Sequence, residues 1–132
     1  MPVPFRIDRL DHLVLTVRDL QATVAFYTEV LGLEDVTFDA GRRALRYGQQ
    51  KINLHPAGGE FEPKADRPTP GSADLCFVVE GDLDAVVAHL ARHGVPLVEG
   101  PVGRTGALGA MRSVYLRDPD GNLVELSSYD PA

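Results

Sequence analysis

The sequence predicts an α+β fold: paired βαβββ modules forming a curved mixed β-sheet around a cavity, with helices outside. Three observations carry this. An apolar strand, a glycine-stopped helix and three short strands occur twice within 132 residues. A loop dense in Pro, Gly and charge, residues 56–72, separates the two copies. The polar residues that interrupt the apolar strands share one face by parity. A repeat this small cannot bury its own sheet face, so the copies are expected to pack together. One domain is therefore expected over 1–132, with halves 8–55 and 73–129.

In the first half, residues 10–17 are predominantly apolar and alternate around His12, the pattern of a strand. Asp19 caps the helix that follows, Leu20, Val24, Tyr27 and Leu31 share one of its faces, and Gly32 stops it. Three short strands come next, at about 33–38, 43–47 and 51–55. Asp39-Ala40-Gly41 and Gly48-Gln49 supply the breaks between them.

The pattern then restarts. Residues 73–79 form an apolar strand, and residues 82–93 a helix with Leu83, Val86, Val87 and Leu90 on one face. Gly94 stops that helix. Strands are expected at about 97–99, 113–117 and 123–127, with a Gly-rich loop, Gly100–Gly109, positioned to close over a ligand. The last strand is fed by a tight turn, Asp118-Pro119-Asp120-Gly121, in which Pro presets φ and Gly supplies a positive one.

Composition narrows the function classes. A net charge of −6 and a pI near 5.1 argue against a nucleic-acid partner. The single cysteine, Cys76, rules out an internal disulfide framework. No apolar run approaches the ~20 residues that cross a bilayer, and the N-terminus lacks a signal-peptide core. A cytoplasmic protein without a membrane partner is expected.

The chemistry lies in three anomalies. Glu125 sits among the strand formers Leu123, Val124 and Leu126, and His12 and His55 sit in equally apolar strands. A buried carboxylate is costly unless something cationic meets it. Alternation sends Leu13, Leu15, Val17, Ile52, Leu54, Val124 and Leu126 toward the helices. It leaves His12, Asn53, His55 and Glu125 on the opposite face, with Cys76 and Asp74. Three such residues on one face suggest a shared metal ion.

These features carry a resemblance. The paired modules, the Asp11-His12-Leu13 start and the Asp118-Pro-Asp-Gly-Asn-Leu-Val-Glu125 end resemble the vicinal oxygen chelate superfamily across about residues 8–129. That superfamily includes glyoxalase I, extradiol dioxygenases, fosfomycin-resistance proteins, methylmalonyl-CoA epimerase and bleomycin-binding proteins. The segments 42–45, 50–55 and 69–76 look more specifically like glyoxalase domain-containing protein 5 and its bacterial relatives. The resemblance implies a divalent metal (Zn, Ni, Mn or Fe) at four inward positions, here His12, His55, Asp74 and Glu125. The aligned apolar strands and the helices that follow them lead to the expectation that Asp74 superposes on His12 and Glu125 on His55. Relatives often carry His where Asp74 stands, and Asp74 is weighed equally as a partner that orients a ligand imidazole. Glyoxalase I carries Glu where His55 stands, and fosfomycin-resistance proteins carry Thr where Val14 stands.

Tyr115, with Ser113, is expected beside Glu125, where relatives often place a phenol. Glu125 and Tyr115 are thus the candidate catalytic residues. Arg104 is a candidate ligand contact in the Gly-rich loop. Arg42, Arg43 and Arg46 are expected to pair with acids, with anion binding as a lesser role. His89 and His93 read as surface residues. The expected activity is a metal-dependent, glyoxalase-like lyase or isomerase acting on a small substrate with vicinal oxygens. An Fe(II) extradiol-type dioxygenase and a non-catalytic binding or resistance protein are the alternatives. A homodimer is expected, because an open sheet leaves edges that a second copy covers.

Overall fold

The computed structural model describes residues 2–129. The first module contains β1 (His12–Val17), α1 (Leu20–Ala25), β2 (Glu34–Phe38), β3 (Arg42–Tyr47) and β4 (Gln50–Pro56). The second contains β5 (Asp74–Val78), α2 (Leu83–Arg92), β6 (Glu99–Gly106), β7 (Gly109–Arg117) and β8 (Leu123–Ser128). Each module keeps its own four-stranded sheet, ordered β1-β4-β3-β2 and β5-β8-β7-β6. In both, the first strand runs parallel to the last and the remaining pairs are antiparallel. Among the described residues no helix is long and apolar enough to cross a membrane.

Local chemistry explains the element ends. Asp19 Oδ1 accepts from Ala22 N at 3.1 Å, and Asp82 Oδ1 from Asp84 N at 3.0 Å, so each helix has the cap its sequence offers. The first helix does not continue as a regular α-helix. Phe26–Val30 is a π-helical segment, a widening with no signature in the apolar spacing. Its residues serve two cores. Tyr27 is fully buried with Leu15, Val17, Leu45, Ile52 and Leu54, Val30 packs on the second cluster around Leu90, Leu116 and Val124, and Phe26 and the following Leu31 pack against both. Phe77 returns the exchange by packing against both clusters. One face of each sheet is therefore spent on the helices and on the join between modules.

The acidic turn before β8 is structural. Asp118 is 5% exposed and accepts from Tyr27 Oη and Asn122 Nδ2, each at 2.8 Å, and from the backbone N–H groups of Asp120 and Asn122 at 2.9 Å. Asn122 Oδ1 accepts from Ala73 N at 2.8 Å, and Asp120 Oδ1 from Arg18 N at 3.1 Å. Burial, with Asp118 alongside, pushes the Tyr27 phenol well above its ordinary range, so it serves as a fixed donor. Gly71, at φ +81°, completes the clamp: a Cβ there would stand 2.5 Å from the Asp120 carbonyl oxygen.

The expected loop Gly100–Gly109 is a correction. These residues form most of a long hairpin, β6 to β7, turning over Ala107-Leu108. Backbone pairing with β7 overrides the low strand propensity of glycine. At Gly106 the bare backbone leaves room for the ends of the Tyr129 and Met111 side chains, which a Cβ would have to displace.

Candidate functional site

The faces turned away from the helices hold the candidate residues. On the first sheet these are His12, Val14 and Thr16 from β1, Lys51, Asn53 and His55 from β4, Arg42 and Ala44 from β3, and Phe38 from β2. On the second they are Asp74, Cys76 and Val78 from β5, Glu125 and Ser127 from β8, and Ser113 and Tyr115 from β7. The parity behind this holds: Ile52, Leu54, Val124 and Leu126 are buried in the cores, while Asp74, Cys76 and Val78 are exposed.

Register corrects the expected equivalence of His55 and Glu125. His12 lies opposite Lys51 and Val14 opposite Asn53, whereas Asp74 lies opposite Leu123 and Cys76 opposite Glu125. Superposing Asp74 on His12 therefore brings Glu125 onto Asn53; His55 matches Ser127, one full pleat further along. Asn53 is 6% exposed and its Oδ1 has no hydrogen-bond partner, an orphaned acceptor.

His55 has other company. Its ring packs edge-on to Phe61 at 5.2 Å, and its Nε2 stands 3.4 Å from Arg42 Nη2. Burial, reinforced by the Arg42 guanidinium and partly offset by Glu60, holds its pKa below the ordinary value. It is 3% exposed beneath the 56–72 loop and borders a cavity of about 410 Å³ that Val14, Thr16, Pro68 and Asn122 also line. His12 is the opposite case, with a half-exposed side chain. Its Nδ1 donates to Asp11 Oδ1 at 2.8 Å, and that bond holds the Asp11 carboxyl below its usual range. Nε2 is left free, the arrangement by which an outer carboxylate fixes the tautomer of a metal-ligating imidazole.

On the second sheet, Glu125 is set in a hydroxyl network that the sequence reading missed. Ser127 Oγ donates to Glu125 Oε2 at 3.1 Å, and lies 2.6 Å from Ser113 Oγ and 3.2 Å from Cys76 Sγ. Two serines on the Glu125 face, at 113 and 127, were the available signal. Burial pushes the Cys76 thiol pKa up, the Ser127 hydrogen bond opposing and Glu125 adding to it. Tyr115 is the direct cross-strand partner of Glu125. Arg104, displaced from its expected loop onto β6, donates from Nε to Tyr115 Oη at 2.9 Å and from Nη2 to Glu99 at 3.1 Å.

The three arginines of β3 separate. Arg43 forks onto Asp35 and Arg46 onto Glu34, whereas Arg42 lies between the Phe38 and Phe61 rings. His89 is no simple surface residue either: its Nε2 donates to the Val30 carbonyl at 2.8 Å, capping the π-helical segment, and its ring lies 4.4 Å from that of His93. Among the described residues, no three His, Cys, Asp or Glu side chains converge within one chain.

Comparison with known proteins places this geometry. A 59% identical relative over 123 residues is "Virulence protein STM3117" of Salmonella typhimurium; the match covers 93% of this chain and 85% of that protein. Its crystal structure superposes with a TM-score of 0.94 over 96% of this chain and 100% of that one. The "Glyoxalase domain-containing protein RDO1" of Mycosarcoma maydis is 57% identical, the match covering 93% of this chain and 69% of that protein. A lactoylglutathione lyase from Agrobacterium tumefaciens, 26% identical, superposes with a TM-score of 0.73 over 94% of this chain and 96% of that one. Residues 9–126 match the family model described as the Glyoxalase/Bleomycin resistance protein/Dioxygenase superfamily, and the chain belongs to that family.

Proposed function

We propose that this protein is a metal-dependent, glyoxalase-like lyase or isomerase. Its site is completed by two copies, the first sheet of one facing the second sheet of the other. The observation that carries this is the pairing of His12 with Asp11, which leaves Nε2 free on an open face. The donor set fits a divalent ion. His12 Nε2 and the Asn53 acceptor would come from one copy, and Asp74 and Glu125 from the other, a nitrogen-and-oxygen set suited to Zn, Ni or Mn. His55 is set aside as a ligand, because a metal there would face the Arg42 guanidinium 3.4 Å away. With one free imidazole, the face favours lyase or isomerase chemistry over the extradiol dioxygenase set of two His and one carboxylate.

A bound ion would supply Lewis-acid polarisation of two neighbouring substrate oxygens. The protein's own groups do the rest. Glu125 moves the substrate proton at Oε1, while Ser127 fixes Oε2. Tyr115 accepts from Arg104, so its own proton points elsewhere and is available to a substrate oxygen.

Mixing two dead variants tests the arrangement. His12→Ala and Glu125→Ala proteins, each purified, should hold almost no ion and have no activity. Unfolded and refolded together, they should regain about a quarter of the sites, since random assortment makes half the dimers mixed and repairs one site in each. Recovery of nothing would mean that the site is not shared between chains. Full metal content in one variant would remove that residue from the site, and full content in both would sink the metal reading.

A further inference from the structure

The open face of the first sheet carries a second feature that metal binding does not use. Arg42 and Lys51 both stand on one aromatic ring. The Arg42 guanidinium carbon is 5.2 Å from the Phe38 centroid and 4.5 Å from that of Phe61, and Lys51 Nζ is 3.6 Å from the Phe38 centroid. Neither cation is within 4.0 Å of a carboxylate among the described residues, although Arg43 and Arg46 beside them on β3 are both paired with acids. Like charges brought onto one ring repel, and the ring's negative face offsets only part of that cost. Two rings hold the guanidinium in a fixed plane, and a fixed guanidinium presents the fork that matches an oxyanion. The position is also near the proposed chemistry: Lys51 is the direct cross-strand neighbour of His12.

We infer that Arg42 and Lys51 bind the oxyanion group of a small anionic substrate, a carboxylate or phosphate, on the face that presents His12. This rests on the reading of that face as the substrate face and narrows its substrate class. The anionic end docks between the two cations, and the neutral, oxygen-bearing end extends along β4 toward His12. Arg42 sets orientation through its fork, and Lys51 contributes a mobile charge. The cationic face and the carboxylates of the other sheet then divide the work, one binding the substrate's charge and the other moving its proton.

Calorimetric titration of metal-free, dialysed protein tests this without reference to turnover. Succinate, inorganic phosphate and the uncharged succinamide are the probes. The wild-type protein should bind succinate or phosphate saturably, and whichever binds tighter identifies the oxyanion. Succinamide should not bind. Arg42→Gln and Lys51→Gln should each weaken binding tenfold or more, while Arg43→Gln, whose guanidinium is already held by Asp35, should leave it unchanged. Melting curves accompany every variant. If Arg42→Gln does not fold, Lys51→Gln and the charge-retaining Arg42→Lys decide, with Arg42→Lys expected between wild type and Gln. Wild-type affinity in Lys51→Gln, equal binding of succinamide, or no saturable anion binding overturns the inference. The last outcome is what a second copy's carboxylates occupying the two cations would produce. Metal content is measured separately: a protein that takes no ion yet binds the anion refutes the metal reading and leaves this one standing.

Discussion

The two open faces are built on one module and one ladder pattern, yet they carry opposite chemistry. The first gathers His12, Lys51, Arg42 and His55 and is partly roofed by the 56–72 loop, which leaves Asn53 and His55 almost fully buried. The second presents Asp74, Glu125 and Cys76 beside a hydroxyl network, with Asp74 and Cys76 exposed. The shared scaffold fixes where side chains emerge; it leaves their charge free to diverge. A site that needs both an imidazole and carboxylates is thus served by unlike halves.

The largest expected effect sharpens the carboxylate side. In metal-loaded protein, Glu125→Gln should lower activity by about 10²-fold or more, the loss expected when a positioned proton-transfer group is removed. Ion content measured alongside separates this from loss of metal, and an unchanged rate at full occupancy would assign the proton transfer elsewhere. Tyr115→Phe should cost less, about tenfold, because it removes one hydrogen bond.

Stability tests probe the clamp that holds the second face against the first module. Asp118→Ala strands four buried donors and should cost about 3 kcal/mol in denaturant unfolding. Tyr27→Phe removes only one of them and should cost about 1 kcal/mol. Equal costs would show that the phenol, and not the turn, carries the contact.

The smallest effect belongs to the roofed face. The pKa of His55 is lower in the folded chain than in the unfolded one, so between those two values the unfolded chain binds more protons. Stability should therefore be complete above pH ~6.5 and decline as pH falls below it. His55→Gln should flatten that part of the profile. An unchanged slope in the variant would place the titration on another group.

Alternation exposed the faces because parity is local: Leu15, Ile52 and Val124 announce which side is core, and their neighbours follow. The ladder offset was not legible, because which residue of β4 lies beside His12 depends on pairing between residues 39 apart in sequence. His55 and Asn53 have the same parity, and only the register separates them. The β6–β7 hairpin was hidden by its glycines, of which only Gly106 sits against the ends of Tyr129 and Met111. Arg104 followed that error: assigned to a loop, it could not be matched to Tyr115. The split among Arg42, Arg43 and Arg46 was hidden for a similar reason, since Phe61 meets Arg42 only once the 56–72 loop folds back.

Phe26, Leu31 and Phe77 each belong to both apolar clusters, and Tyr27 donates across the module boundary to Asp118. Neither half can melt without stripping neighbours from the other. The chain should consequently unfold in a single cooperative transition, with fluorescence and circular dichroism reporting one midpoint. For the same reason, a cut in the exposed 56–72 loop should leave two fragments that remain associated, so continuity of the chain matters less to this fold than the three side chains its halves share.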